Sequence, residues 1–421
     1  MSAPKITAPR GTFDVLGADS SRRAILESRA RTILEGAGYE RIETPTFEAT
    51  ELFARGVGSS TDIVQKEMYT FKDGSGRLLT LRPEGTAPVC RAFVEHGMHK
   101  RPAPVKLWYL SSFFRYERAQ AGRYRQFWQV GAEALGSEDP ALDAESIVLL
   151  GRLLEQMGVA DVSLRLASLG SPEARQQYRG LLQEYLHANT EALAEEVRQR
   201  IELNPLRAFD SEHEGTRRVM EGAPRLIDHL SSEDAEHFAC VRELLDLAGI
   251  AYEVDSTLVR GLDYYTRTVF EFTSTALGAQ SGVGGGGRYD GLVSELGGAP
   301  TAGMGWAAGV ERILISGEQS SAAPVSVDLF IALEDSGSAQ IRAQGFAMLQ
   351  AARSGGLHAQ MELAGRSLKG QLKQADRLRA RYVAVVESEQ TALRDMQNGS
   401  QQTIATDTVV HAVLRGLREI A

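Results

Sequence analysis

The spacing of apolar residues predicts alternating helices and strands in the first part of the chain. Residues 20–37 carry apolar side chains every three or four positions, which predicts a long helix that ends near two glycines. A strand from 39 to 44 follows and stops at Pro45, because proline cannot donate to a sheet ladder. Leu78–Leu81 is a short apolar run that predicts another strand, leading into a turn at Pro83.

The stretch from 113 to 133 predicts an antiparallel hairpin, since two runs rich in aromatic and β-branched residues flank a basic loop. Side chains alternate between the two faces of a strand. The even-numbered side chains are expected to pack against a core: Phe114, Tyr116, Trp128, Val130 and Ala132. The odd-numbered face combines charges with an aromatic ring: Arg115, Glu117, Phe127, Gln129 and Glu133. A solvated surface and a ligand-binding face are both open interpretations of this pattern.

Two details of this hairpin favour a nucleotide as the ligand. Its loop contains Arg118, Arg123 and Arg125 within eight residues. The planar guanidinium suits phosphate oxygens better than an ammonium does. Phe127 is on the same predicted face as Arg115, so an adenine could stack on the ring while the guanidinium binds a phosphate. A nucleotide site is therefore the first hypothesis for the hairpin.

Two further segments place polar groups at the ends of strands. In the sequence RPEGT at 82–86, the turn puts Glu84 either at the start of the next helix as a cap or facing a pocket. Residues 258–267, LVRGLDYYTR, place an arginine and two tyrosines at the entrance of a strand. That second pattern is also typical of a tight turn beneath an aromatic lid.

A glycine-rich run at 282–291 precedes the last motif of this part. It has no Gly-Lys-Ser/Thr ending and no GxGxxG pattern that opens a helix, which excludes Walker and Rossmann phosphate loops. We predict instead a strand whose backbone lies flat beneath a ligand, because glycine carries no Cβ. Residues 303–312 then run from strand into helix and place Arg312 in the first helical turn, where an anion is favoured.

The segment from 171 to 237 is charged and rich in helix-forming residues, which predicts a helical insertion with solvated faces. A small, polar stretch at 316–323 predicts a linker. After it, strands and helices alternate in the pattern of a compact α/β domain. One helix, predicted at 366–379, carries a basic stripe that fits either a solvated face or RNA binding: Arg366, Lys369, Lys373 and Arg377.

Composition places the chain among ordinary globular proteins, since 43% of its 421 residues are hydrophobic and 24% are charged. No run approaches the roughly 18 apolar residues of a membrane helix, and the N-terminus lacks the apolar stretch of a signal peptide. We therefore expect a cytoplasmic protein without a membrane partner. Cys90 and Cys240 are far apart and outside any CxxC pair, which argues against disulfides and cysteine zinc sites.

The net charge of −9 argues against indiscriminate binding of nucleic acid, yet basic residues are concentrated in two stretches. Residues 100–125 contain seven Lys or Arg and one acidic residue, and residues 366–381 contain six and one. An acidic protein with two basic stretches can guide a polyanion to chosen places on its surface.

Taken together, the motifs resemble those of the histidyl-tRNA synthetase family of class II aminoacyl-tRNA synthetases. The hairpin pattern Phe-Arg-x-Glu, a basic loop and Arg-x-x-Gln-Phe-x-Gln-x-x-x-Glu is similar to motif 2. The helix at 20–37 with its strand and Pro45 resembles motif 1, the dimer-forming element, and 303–312 resembles motif 3. The sequence LVRGLDYYTRTVFEF at 258–272 is similar to the family signature almost letter for letter. RPEGT and GGGRYDGL also recur in this family.

The resemblance implies the class II synthetase fold, an α+β catalytic domain built on an antiparallel sheet with flanking helices. Residues 1–170 and 238–320 would form this catalytic domain. Residues 171–237 would form the helical insertion, which lies over the acceptor arm of tRNA in the family. Residues 324–421 would form a C-terminal α/β anticodon-binding domain. Motif 1 implies a homodimer.

The resemblance also implies a reaction, the attachment of L-histidine to its tRNA through a histidyl-adenylate. ATP would be a substrate, Mg²⁺ would be held mainly through the ATP phosphates, and the protein would have no metal site of its own. Arg115 and Arg260 would be catalytic, gripping the α-phosphate. The histidine-binding set would be Glu84, Gly85, Thr86, Arg115, Gln129, Glu133, Arg260, Tyr264 and Tyr265. The ATP-binding set would be Arg115, Glu117, Arg123, Phe127 and Arg312, and the tRNA-binding set Arg118, Gln120, Arg366, Lys369, Lys373 and Arg377.

Two other functions fit part of the pattern. The first is the synthetase-like regulatory subunit of ATP phosphoribosyltransferase in histidine biosynthesis, a binding protein that shares the catalytic fold and lacks the C-terminal domain. The second is a synthetase-like RNA sensor that binds tRNA without catalysis. The regulatory subunit has no reason to keep Arg115, Arg260 and Arg312 together, so the presence of all three favours the enzyme over it.

Overall fold

The computed structural model describes residues 5–58, 61, 63–117, 122–258, 262–278, 281–318 and 327–418. The chain forms two units, residues 1–320 and residues 321–421. The helices of the first unit are α1 (Gly17–Gly36), α2 (Thr50–Gly56), α3 (Thr86–Glu95), α4 (Pro140–Gln156), α5 (Pro172–Ala188), α6 (Glu195–Arg198), α7 (Glu214–Glu221), α8 (Ser232–Leu247), α9 (Leu292–Glu295) and α10 (Val310–Ser316).

The strands of this unit form one large sheet and one small one. They are β1 (Glu40–Arg41), β2 (Phe47–Ala49), β3 (Tyr69–Lys72), β4 (Leu78–Leu81), β5 (Val105–Phe114), β6 (Gln126–Leu135), β7 (Val162–Ser168), β8 (Glu253–Val254), β9 (Thr266–Ser274), β10 (Gly282–Arg288) and β11 (Gly303–Gly309). The large sheet has the order β1-β5-β6-β11-β10-β9-β7-β8, and the small one the order β2-β4-β3. Pairings from β5 to β7 are antiparallel, while β1 and β8 pair in parallel at the two edges. The predicted fold on an antiparallel sheet is confirmed, with parallel strands only at its edges.

Helices cover one face of the large sheet as the apolar periodicity of α1 predicts. Leu26, Ala30 and Leu34 of α1 are buried and join the core that also contains residues of α4 and α8. The strand predicted from 39 to 44 is shorter than expected. It ends at Arg41 because the carbonyls of Thr44 and Pro45 bind a side chain, the buried guanidinium of Arg82, instead of a neighbouring strand.

Between β7 and β8 the chain is helical, but the predicted insertion boundary at residue 237 falls inside α8. Ser231 caps α8 by accepting a hydrogen bond from the backbone of Asp234. Phe238, Val241 and Leu245 of α8 then pack in the core of the large sheet. α8 therefore packs as one helix against the large sheet, and a boundary at residue 237 would divide it.

The second unit is an α/β domain. Its elements are β12 (Leu329–Leu333), α11 (Ala339–Ser354), β13 (Ala359–Met361), α12 (Leu368–Arg377), β14 (Tyr382–Val386), β15 (Thr391–Asp395), β16 (Gln401–Ile404) and α13 (Val409–Arg418). Its sheet has the order β13-β12-β14-β15-β16. The predicted linker at 316–323 overlaps residues outside the described ranges, and Ser316 itself ends α10.

The basic stripe predicted for α12 is shorter than expected. Lys369, Lys373 and Arg377 are exposed along one side of the helix. Arg366 lies before the helix, because the carboxylate of Glu362 accepts its backbone N–H at 3.2 Å and pairs with its guanidinium. Among the helices that the structure describes, none is long and apolar enough to cross a membrane.

Candidate active site

The β5–β6 hairpin forms one wall of a cavity of 530 Å³. β10 and β11 contribute to the cavity, and α10 contributes Arg312. The structure therefore brings together groups from separate parts of the chain. The hairpin residues that line the cavity are Arg115, Glu117, Gly122, Arg123, Tyr124, Phe127 and Gln129.

Three arginine side chains line this cavity together with three carboxylates, those of Glu117, Glu271 and Glu311. Arg115 donates from Nε to the carbonyl of Pro83 at 2.9 Å, and its Cζ lies 5.4 Å from the centre of the Phe127 ring. Arg123 Nη1 is 3.2 Å from Glu117 Oε2. Burial lowers the pKa of Arg312, and the positive charge of Arg123 lowers it further. A bound anion would relieve this repulsion between cations.

Gln129 contributes an amide group to the same wall. Its Oε1 is buried and has no hydrogen-bond partner among the described residues. An unpaired buried polar atom costs free energy, so its presence at a cavity wall favours a ligand that donates a hydrogen bond there.

Two predictions about the hairpin are wrong. Tyr116 is 55% exposed instead of buried, because β5 ends at Phe114 and the alternation of faces ends with it. Arg125 does not line the cavity. Its guanidinium lies 4.3 Å above the Tyr116 ring and donates to the carbonyl of Glu117, so it stabilises the base of the loop. Arg118 and Gln120 lie outside the described residues.

Glu133, farther along β6, is fully buried among hydroxyl groups. Thr86 donates to Glu133 Oε1 at 2.8 Å, and Tyr289 donates to Oε2 at 2.6 Å. Tyr109 lies 3.4 Å from Oε1. Burial raises the pKa of Glu133 to about 8, although the hydrogen bonds from Tyr289 and Thr86 lower it. Each carboxylate oxygen accepts two hydrogen bonds, so Oε2 keeps an acceptor position beyond the one that Tyr289 uses.

Glu84 has the capping role that the sequence left open. Its two carboxylate oxygens accept the backbone N–H groups of Thr86 and Ala87 at 2.8 and 3.0 Å, at the start of α3. Burial raises the pKa of Glu84, and these hydrogen bonds oppose the shift. The second acceptor position of each oxygen remains for another donor.

Gly85 is explained by packing. A Cβ on Gly85 would lie 2.4 Å from Tyr109 Cζ, and a Cβ on Gly131 would lie 2.3 Å from the same atom. The two glycines therefore make room for the Tyr109 ring beneath Glu133. Tyr109 is not identifiable from the sequence, because a tyrosine inside an apolar strand is indistinguishable from an ordinary core residue.

The two tyrosines of the signature segment are buried beside this cluster. The ring centres of Tyr264 and Tyr265 are 4.8 Å apart, and those of Tyr264 and Tyr289 are 5.8 Å apart. Burial raises the pKa of Tyr264 well above its ordinary value, and the neighbouring Tyr265 and Glu84 add to the shift. Tyr264 is thus a neutral hydroxyl next to two buried carboxyl groups. Arg260 lies outside the described residues.

The glycine-rich run forms β10, whose first part lines the cavity. The lack of side chains also serves strand packing, since a Cβ on Gly284 would lie 2.5 Å from the Cβ of Ala308 on β11. Arg288 and Tyr289, which lie at the end of β10, have different roles. Arg288 is fully buried and pairs with Asp143, whereas Tyr289 binds Glu133. The sequence pattern GGGRYDGL contained Tyr289 without indicating its carboxylate partner.

Within the described residues, no group of three or more His, Cys, Asp or Glu side chains is arranged to hold a metal ion. Three carboxylates line the cavity with the arginines. One of them, Glu311, accepts the N–H of Trp128 and pairs with Arg23. Glu117 and Glu271 are the other two. Mg²⁺ that is bound by phosphates commonly takes only one or two carboxylates from a protein, so this donor set fits an ion that enters with a nucleotide.

Comparison with known proteins gives a consistent result. A family model described as "Histidyl-tRNA synthetase" matches residues 11–313. The histidine--tRNA ligase of Desulforamulus reducens is 46% identical over 412 residues, which cover 96% of this chain and 98% of the relative. The structure of apo S. aureus histidyl-tRNA synthetase is 34% identical with a TM-score of 0.81, covering 97% of this chain and 100% of that chain.

A further structure bears on the non-enzymatic alternative. It is an ATP phosphoribosyltransferase regulatory subunit/histidyl-tRNA synthetase from Bacillus halodurans C, 22% identical with a TM-score of 0.64. It covers 89% of this chain and 97% of its own, and at this identity it shows a common fold alone. The family match and the near full-length likeness to ligases decide the assignment: the chain belongs to the histidyl-tRNA synthetase family.

Proposed function

We propose that the protein attaches L-histidine to its cognate tRNA in two displacements. The histidine carboxylate attacks the α-phosphorus of ATP and pyrophosphate leaves. A hydroxyl of the terminal adenosine of tRNA then attacks the acyl carbon of the adenylate, and AMP leaves. The observation that carries this proposal is that Arg115, Arg123, Phe127 and Arg312 line one cavity. Phe127 lies on β6, the strand that also carries the buried Glu133.

In the first displacement the protein mainly aligns the reactants and neutralises charge. Arg115, with Arg260 from the signature segment, grips the α-phosphate. Arg123 and Arg312 hold the outer phosphates, and adenine stacks on Phe127. The support for these roles is the shared cavity and the repulsion between its cations. Mg²⁺ would be held by the phosphates with Glu117 and Glu271 nearby, and it would neutralise phosphate charge.

Histidine lies toward the Glu133 end of β6 in this proposal. Glu84, Thr86 and Gln129 fix the amino group, and Glu133 and Tyr264 bracket the two nitrogens of the imidazole. The unpaired Oε1 of Gln129 and the remaining acceptor position on Glu133 Oε2 support this placement. A site that hydrogen-bonds both ring nitrogens leaves its buried polar groups unpaired when an apolar analogue enters. Such sites reject competitors roughly 10⁴-fold.

The tRNA contacts follow from the basic residues. Arg118 and Gln120 in the motif 2 loop would meet the end of the tRNA. Lys369, Lys373 and Arg377 of α12, with Arg366 before it, would bind its backbone near the anticodon. The exposed row on α12 supports the second contact. These substrates belong to translation, so we propose a cytoplasmic location.

A single assay tests the proposed function. We expect exchange of labelled pyrophosphate into ATP only when histidine is present, and charging of histidine tRNA when tRNA is added. A regulatory subunit or an RNA sensor would give neither product. Binding of histidine or tRNA without pyrophosphate exchange would therefore contradict the proposal.

We also propose that the protein is a homodimer, on the basis of the small sheet that follows the motif 1 strand. Phe47 and Phe71 are 51% and 43% exposed, with ring centres 6.1 Å apart. The opposite face of this sheet is polar, since the hydroxyls of Thr70 and Thr80 are 2.9 Å apart there. Its apolar side is thus turned outward, where a second copy would cover it.

Phe71→Glu is expected to convert the dimer into monomers, because it buries a charge in the proposed interface. The measurement is molar mass by light scattering during size-exclusion chromatography, which should fall to that of one 45.8 kDa chain. Lys72→Glu changes the neighbouring residue on the other face and serves as the control. A Phe71→Glu protein with unchanged mass would place the interface elsewhere.

A further inference from the structure

Arg175 of the helical insertion reaches into the segment that carries Tyr264. It lies in the first turn of α5. Its Nη1 donates to the carbonyl of Tyr265 at 2.9 Å and to that of Asp263 at 3.3 Å. One guanidinium nitrogen thus holds the backbone immediately before and immediately after Tyr264.

The environment of Arg175 favours a fixed position. Burial lowers the pKa of Arg175, and the carboxylate of Asp263 opposes that shift. Hydrogen bonds in which the donor is charged are about twice as strong as neutral ones. On its other side the segment is held by α2, since the N–H of Asp263 donates to the carbonyl of Val57 at 3.3 Å. A partly buried, charge-assisted contact of this kind restricts the backbone around Tyr264.

The far end of the segment is also fixed by residues at the base of the insertion. Arg267 has a φ of +43°, a backbone conformation that residues other than glycine rarely adopt. Its N–H donates to Gly170 at 2.8 Å, and its Nε donates to Asp234 Oδ1 at 3.0 Å. Asp234 Oδ2 in turn accepts the N–H of Ser171 at 2.9 Å. Gly170, just before α5, and Asp234, in α8, therefore both contact the chain that presents the tyrosines.

We propose that Arg175 is a positioning residue for histidine recognition, fixing Tyr264 through the two flanking carbonyl groups and coupling the insertion to the amino acid pocket. The inference rests on the proposed function, since it assumes that Tyr264 contacts the imidazole. Arg175 itself touches no substrate in this proposal. Its effect is to keep the Tyr264 hydroxyl at the place where a ring nitrogen needs a partner.

The test compares two arginines that are one helical turn apart. Arg175 and Arg179 both line a cleft of 720 Å³ between α5 and the signature segment. Arg179 Nη2 donates to the carbonyl of Leu203, within the insertion, at 3.0 Å. Arg175→Met and Arg179→Met are therefore matched in chemistry, helix and cleft. They differ in the backbone that the lost guanidinium contacts, which is the signature segment for Arg175 and the insertion for Arg179.

Histidine-dependent pyrophosphate exchange is measured for both variants and for the unaltered protein, with separate titrations of histidine and ATP. For Arg175→Met we expect the KM for histidine to rise about tenfold or more, because two buried carbonyls lose a charged donor. The KM for ATP should stay within about twofold, as should both constants for Arg179→Met, since neither change touches the nucleotide cavity. A purely structural role would lower kcat or the melting temperature without this separation.

The following results would overturn either the inference or the proposed function. An unchanged histidine KM in folded Arg175→Met overturns the inference, and so does an equal rise in Arg179→Met. If Arg175→Met does not fold, Arg175→Gln replaces it, since its amide is shorter and uncharged. An unchanged histidine KM in that variant overturns the inference as well. If the unaltered protein itself shows no histidine-dependent exchange, the proposed function fails, which is a distinct result.

Discussion

Glu133→Gln is expected to lose most of its ability to use histidine and yet to be at least as stable as the parent protein near pH 8. The amide keeps the shape of the carboxyl group and can still accept from Tyr289. Its NH₂ group cannot accept a hydrogen bond from an imidazole N–H, whereas the carboxyl group can do so once it releases its proton. We expect kcat/KM for histidine in pyrophosphate exchange to fall about 10²-fold or more. The KM for ATP should change little.

The stability of this variant follows from the pKa of Glu133. Burial raises that pKa to about 8, against about 4.3 for an unfolded glutamate. Between these values the folded protein holds a proton that the unfolded chain releases. The stabilisation from Glu133 is therefore complete below about pH 4.3 and is lost as the pH rises toward 8. Glutamine has no proton to lose. The melting temperature of the variant should therefore rise relative to that of the parent as the pH increases from 5 to 8.5.

A carboxylate with the opposite shift provides the control. The pKa of Glu362 is lowered because backbone N–H groups of Arg366 and Ala364 donate to it, despite its burial. Its stabilisation is present at neutral pH and is lost as the pH falls, so Glu362→Gln should destabilise the protein at pH 7. Histidine use should be unaffected. A Glu133→Gln enzyme with the parental histidine KM would show that this carboxylate is not the imidazole partner.

Arg115→Met is expected to slow pyrophosphate exchange about 10²- to 10³-fold, the usual loss when one group that stabilises transition-state charge is removed. The change removes the cation that lies beside Phe127 and anchors on the carbonyl of Pro83. Since negative charge builds up on the α-phosphate during the displacement, the loss should appear in kcat as well as in kcat/KM. Single-turnover formation of the adenylate is the direct measurement.

Two further variants interpret that result. Arg77→Met removes an exposed guanidinium that pairs with Asp73 in the turn between β3 and β4, and its exchange rate should equal that of the parent. Arg115→Lys keeps the charge but not the planar fork, so its rate should lie between those of Arg115→Met and the parent. An Arg115→Met rate within about threefold of the parent would remove Arg115 from its catalytic role.

Local sequence features predicted those parts of the fold that depend on neighbours along the chain. The hairpin of β5 and β6, the strand Leu78–Leu81 and the order of elements in the second unit all follow from periodicity and turn residues. The placement of Arg312 in the first turn of α10 follows from the same kind of pattern. Prediction failed where alternation ended early, as at Tyr116, because the end of a strand depends on its partner strand.

Groups whose role depends on contacts between distant segments were not predictable. Tyr109 and Tyr289 come from segments far apart in sequence, and both contact the carboxyl group of Glu133. Arg175 gave no sequence pattern at all. Its significance arises only because α5 begins next to the signature segment.

The sequence by itself determined the class of fold, the order of its elements, the excess of arginine near a predicted hairpin and the resemblance that led to the family. Only the tertiary structure decided that Glu133 is buried with a raised pKa, that Glu84 caps α3, and that Arg125 and Arg288 are structural. The physical reason is that helices and turns are encoded by residues close in sequence, whereas burial and hydrogen-bond partners are set by residues that meet only after folding.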